Sequence, residues 1–127
     1  MIKQYWGLWL TILLVLILCL LTLNYIISSA AAICADFPSL AQTIAAENWA
    51  QATQFYRQAH RKWQTAAKIW PLLIDHSDMQ DIEIAFIDLQ VMLHTQNREQ
   101  ALKEIAGLYY YLNHVPQNQR LSLQNIL

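Results

Sequence analysis

Hydrophobic residues fall along this chain in two patterns: an unbroken run near the amino terminus, then stripes that recur every three or four positions. The run from Trp6 to Ile27 holds no charged residue, and Thr11, Thr22 and Asn24 are its polar members. Crossing a hydrocarbon core of about 30 Å takes roughly 20 apolar residues, so the run predicts one transmembrane helix over residues 6–27. Trp6, Trp9 and Tyr25 stand near its ends, where aromatic rings favour the boundary between acyl chains and headgroups. The small residues SSAAAICA at 28–35 let the helix continue outward. Pro38 then removes a backbone donor and disfavours helix at the residue before it, which predicts a kink or restart. Ser39 and Gln42 have capping-box spacing and predict the cap of that restart.

Three striped segments follow. Asn48 with Gln51 reads as a relaxed cap, and Trp49, Ala52, Tyr56, Ala59, Trp63, Ala66 and Trp70 then alternate one ring with one alanine at strict three-four spacing. Each ring projects opposite an alanine on this pattern, so a partner helix can approach closely. Pro71 ends the segment, and Leu72, Leu73 and Ile74 are expected to form a buried corner. Ser77 with Gln80 predicts a capping box for the next helix, whose stripe is Met79, Ile82, Phe86, Leu89 and Leu93, widened by Ala85 and Met92. Asn97 with Gln100 caps a last helix with stripe Ala101, Ile105, Leu108, Leu112 and Val115, and Pro116 is expected to stop it.

No alternating run bounded by tight turns appears, and Gly occurs only at 7 and 107. The fold class is therefore all-α: an N-terminal transmembrane helix followed by a small antiparallel bundle of three to four helices. Domain bounds follow as residues 1–5 in the cytoplasm, 6–27 in the membrane and 28–127 as one extracytoplasmic bundle, about the size that supports a single modest core. Asn48, Gln51 and Ala52 recur as Asn97, Gln100 and Ala101, which suggests two helical hairpins in succession. The stretch with Arg57, Arg61, Lys62 and Lys68 has no acid. Its successor, with Asp78, Asp81, Glu83 and Asp88, has no base up to His94, so these two helices are expected to be antiparallel neighbours.

Charge also bears on orientation. Lys3 precedes the span and no Lys or Arg follows it before Arg57, so the positive-inside bias puts the N-terminus inside. Ala30 and Ala32 offer a signal-peptidase pattern, but the apolar run exceeds the roughly 15 residues of a signal core, which favours an uncleaved anchor. Neither Cys19, after Leu18, nor Cys34, after Ile33, has the small preceding residue of a lipid-modified cysteine. Cys19 lies in the span and Cys34 just beyond it, so no disulfide within the bundle is available; Cys34 is read as a free small apolar residue, with a bridge between two copies as the alternative. A net charge of −1 and a pI near 6.4 give no sign of a polyanion partner, so no nucleic acid is expected.

Chemistry-bearing residues are sparse. Asp75, His76, Asp78, Asp81 and Glu83 form the densest polar cluster, yet no Ca²⁺ loop order, HExxH or paired Cys accompanies it. First-turn acids are what a helix N-terminus recruits, so no catalytic, metal or cofactor residue is assigned, and Asp75 and His76 are read as a structural corner. His60, His94 and His114 stand on separate helices, the last two in expected final turns. Trp49, Trp63, Trp70 and Tyr109 to Tyr111 suit either a core or an aromatic ligand pocket. Three consecutive tyrosines cannot all face inward, which leaves Tyr110 exposed as a candidate partner contact. Leu121, Leu123, Ile126 and Leu127 make the tail too apolar for free coil and are the other partner-binding candidates.

The stretch WQTAAKIWPLLIDHSDMQDIEIAFIDLQ from Trp63, with its LLIDH corner at 72–76, and the closing HVPQNQRLSLQNIL resemble the single-span proteins of Gram-positive, often spore-forming bacteria grouped as domain of unknown function 4363. Pro71 departs from that pattern. The resemblance implies a membrane-anchored extracytoplasmic helical domain, a companion of other small membrane proteins, with no enzymatic activity attached. The expected function is a non-enzymatic accessory or scaffold protein in the cytoplasmic membrane that contacts lipid and binds another membrane protein or a second copy of itself. The alternative is an extracytoplasmic sensing bundle holding a small ligand between helices, with a cavity beside Trp49, Trp63 and Tyr109.

Overall fold

The computed structural model describes the backbone of residues 2–126 and the side chains of residues 3–115. Five α-helices account for nearly all of it: α1 (Ile2–Cys34), α2 (Phe37–Ala45), α3 (Trp49–Ala66), α4 (His76–His94) and α5 (Arg98–Ile126), with a 3₁₀ turn at Trp70–Leu72 between α3 and α4. No strand occurs among the described residues.

α1 changes character along its length. From Tyr5 to Leu21 its large apolar side chains are exposed, whereas Ile26, Ala30 and Ile33 are buried at three-four spacing in the bundle core. One uninterrupted helix is thus both the apolar rod and the first wall of the bundle. Its length and composition suffice to cross a membrane. α2 carries the same stripe onward with Phe37, Leu40 and Ile44 after a two-residue turn.

Packing follows the order α1/α2, α3, α4, α5 around a square, each helix antiparallel to the next. Lys62 on α3 reaches back to the Ala32 carbonyl (3.1 Å) and to Asp36 (2.9 Å), and Asn113 on α5 lies 3.8 Å from the Cys34 sulfur. The ring-and-alanine stripe is the seam: Ala52, Tyr56, Ala59, Trp63 and Ala66 are buried, and Trp49 is half-buried. Trp63 sits edge-on to Trp70 at 5.4 Å and parallel to Phe86 at 6.0 Å. The stripes expected on α4 and α5 are likewise buried, apart from Met92, which is half-buried.

The two distal corners are copies of each other. After α2, Glu47 adopts φ 60°, and Asn48 N–H donates back to the Thr43 carbonyl while its own Oδ1 accepts from Gln51 N–H. After α4, Gln96 adopts φ 56°, Asn97 N–H donates to Met92, and Asn97 Oδ1 accepts from Gln100 N–H. Each left-handed residue closes a Schellman turn whose next residue already caps the following helix. The repeated Asn, Gln and Ala thus mark two successive helical corners.

Several expectations fail at helix ends. Ser39 is no cap, because α2 starts at Phe37 after Asp36 and Pro38 occupies its first turn, where a missing N–H costs nothing. α3 stops at Ala66, so Trp70 enters the core from the 3₁₀ turn. Leu72 is 83% exposed and belongs to no buried corner; Ile74 alone of its triplet is buried, and Leu73 is half-buried. α4 begins at His76 with Asp75 in extended geometry at the cap position, which leaves Ser77 inside the first turn. Pro116 does not stop α5, which runs to Ile126. A proline forfeits one hydrogen bond, and the long helix on both sides tolerates that loss. α3 and α4 lie side by side, as their opposed charges predict, yet no ion pair joins them among the described residues. Lys62 pairs with Asp36, and rings fill the space between α3 and α4.

Candidate functional site

α3 and α4 meet through side chains too bulky to let their backbones close. The Tyr56 hydroxyl donates to the Phe86 carbonyl (2.9 Å), and Trp63 Nε1 donates to Glu83 Oε1 (3.0 Å). Burial, reinforced by the Glu83 charge, pushes the Tyr56 phenol up to about 12. His60 lies flat against Tyr56 at 5.5 Å and tilted on Phe86 at 5.3 Å.

Next to this ring stack the two helices part and leave an open groove of about 480 Å³. Thr53, Tyr56, Arg57 and His60 form one wall, and Gln90, Val91, Leu93 and His94 form the other. Arg57, His60 and His94 converge on it, and no carboxylate lines it. A guanidinium with two imidazoles over an apolar floor suits an anionic group attached to a hydrophobic body. His60 and His94, read as separate, therefore share one site. His94 does sit in the last turn of α4. His114 does not end its helix, because α5 continues; it stacks on Tyr110 at 5.2 Å. None of Trp49, Trp63 and Tyr109 lines the groove, so the expected aromatic pocket is not where this concavity lies.

The other candidates are placed as follows. Asp75 caps α4 through its backbone alone, with no side-chain cap bond, and His76 Nε2 lies 3.3 Å from the Gln80 amide; both residues are exposed. Tyr110 is 59% exposed, edge-on to Tyr111, and shares a hollow of about 270 Å³ with Asp78, Asp81 and His114. Leu121, Leu123, Ile126 and Leu127 lie outside the described residues as far as their side chains are concerned. Among the described residues no group of three His, Cys, Asp or Glu is arranged to hold a metal ion.

One feature escaped the sequence reading. Beyond its buried stripe, α4 carries a second apolar row on the solvent side, Ile84, Ile87 and Val91, each 50–56% exposed. The signal was available in their three-four spacing, parallel to the core stripe. Val91 also belongs to the groove wall, so row and groove form one continuous face.

A long apolar N-terminal helix bearing a small four-helix bundle defines the class of this protein. The chain belongs to the family described as domain of unknown function DUF4363, whose model matches residues 20–126. That match begins inside α1 and takes in the part of the helix that packs in the core. No curated protein matches the chain, and no solved structure matches it.

Proposed function

We propose that this is a single-span membrane protein with its N-terminus in the cytoplasm, whose extracytoplasmic bundle serves as a non-enzymatic accessory domain binding another membrane protein. Anchoring by α1 is supported by its exposed apolar half, and orientation by Lys3 on the inner flank. The observation that carries the binding role is the solvent-side row Ile84, Ile87 and Val91. The core is complete without it, and three β-branched aliphatics in register on one helix face are the form in which a partner helix is received.

The test is crosslinking in the native membrane, mild-detergent purification and identification of what accompanies the chain. The expected result is a membrane protein recovered with the wild type and lost from the Ile84→Gln/Ile87→Gln variant at unchanged melting temperature. Recovery of the wild-type chain alone would sink the proposal. A second reading, an extracytoplasmic sensor of a small anion, is favoured by the three basic side chains of the groove. It calls for a carboxylate or phosphate ligand that raises the melting temperature of the wild type and not of Arg57→Ala.

A further inference from the structure

We propose that the corner between α3 and α4 is a second membrane contact, whose apolar tip, Ile69 with Leu72, inserts at the headgroup boundary of the bilayer that α1 spans. The inference rests on the reading of α1 as a membrane anchor and adds a site to it.

Register places the corner at the right height. Trp70 Nε1 donates to Ser29 Oγ at 2.9 Å, tying the 3₁₀ turn to a residue two positions past Ile27, the end of the apolar run. At 1.5 Å per residue Ser29 lies about 3 Å past the end of that run, and the Trp70 indole roots the turn at that level. Lys62, bonded to the Ala32 carbonyl, fixes α3 at the same end.

The tip suits a lipid surface. Leu72 is 83% exposed and Ile69 43%, with Pro71 exposed between them, while Trp70 at 0% and Ile74 at 8% root the turn in the core. Three backbone donors at the tip are bonded within the turn: Leu72 N–H donates to Ile69, and Leu73 and Ile74 N–H both donate to Trp70. Pro71 has no N–H to satisfy. A turn with these donors bonded internally carries fewer unpaired polar groups into the hydrated headgroup boundary. Exposed Lys68 stands beside it, with a stem long enough to reach lipid phosphates. Asp75 begins a helix that leads away from the bilayer, so apolar insertion, rather than attraction to anionic lipid, holds the contact.

The test uses the full chain in phosphatidylcholine vesicles, with and without phosphatidylglycerol. An environment-sensitive fluorophore is placed singly at Leu72→Cys, at Leu14→Cys in the span, or at Glu99→Cys at the far end of the bundle, with Cys19 and Cys34 replaced by Ser. The Leu72 label is expected to be quenched by nitroxide lipid spin-labelled near the headgroup, and to show several-fold weaker iodide quenching than the Glu99 label, equally in both lipid mixtures. Adding Ile69→Glu should return iodide quenching of the Leu72 label toward the Glu99 level. A Leu14 label quenched by deep nitroxide beside a Leu72 label as open to iodide as Glu99 would overturn the corner contact while leaving the anchor intact. A Leu14 label that no nitroxide lipid quenches would overturn the anchor and the corner together.

Discussion

Trp63 joins three elements of this bundle: fully buried on α3, it is stacked on Phe86, edge-on to Trp70, and satisfied at Nε1 by Glu83. Truncation there leaves a large cavity, so Trp63→Ala is expected to cost about 3–5 kcal/mol, against a far smaller loss for half-buried Trp49→Ala, measured by denaturant melts. Tyr56 gives a pH readout. Its folded pKa lies above the ordinary phenol value, so its contribution is whole below about pH 10 and is lost as pH rises through about 12. Tyr56→Phe is expected to lose about 1 kcal/mol at neutral pH and to remove that alkaline decline. These positions were legible, because a ring or alanine at every third or fourth residue has one consistent explanation. Glu47 and Gln96 were not. A left-handed backbone normally advertises itself with Gly, and neither position has one. The same fact makes a forecast: Glu47→Gly and Gln96→Gly should each stabilise by about 0.5–1 kcal/mol, read as a shift of the denaturation midpoint.

At the scale of elements, every helix of the bundle was foreseeable from its stripe, while several ends were misjudged by a few residues. The reason is chemical: Ser77 with Gln80 matches the capping box, but Asp75 two residues earlier takes the cap position first, and its carbonyl accepts the first helical bond from Met79. α4 also shows why a pattern can be half read. Once Met79, Ile82, Phe86, Leu89 and Leu93 explain the helix, Ile84, Ile87 and Val91 look like surplus, yet they form the exposed row on which the accessory role rests. The opposed charges of α3 and α4 anticipated adjacency without supplying the contact that achieves it. Where α4 meets α5, burial and then the charge of Asp88 raise the Glu104 carboxyl above its ordinary value, with Lys103 opposing. A raised carboxyl stabilises the fold below the ordinary carboxylate range and loses that contribution as pH rises through it. Glu104→Gln should therefore match the wild type near pH 3 and melt higher at pH 7 in a thermal scan.

The whole molecule is organised on one continuous helix with two kinds of surface. α1 has an exposed apolar surface over its first half and a core surface from Ile26 onward, so the same helix that forms the rod also forms a wall of the bundle. Hydrophobic runs and stripes made that architecture visible in advance. The groove with Arg57, His60 and His94 was not visible, since it depends on two helices kept apart by rings at other positions. Orientation is the claim on which the rest turns, and one measurement addresses it: labelling of a single exposed cysteine, Gln80→Cys with Cys19 and Cys34 replaced by Ser, by a membrane-impermeant maleimide on intact cells. Full labelling without lysis is expected. Labelling only after the cells are broken would put the bundle in the cytoplasm and contradict an extracytoplasmic accessory domain.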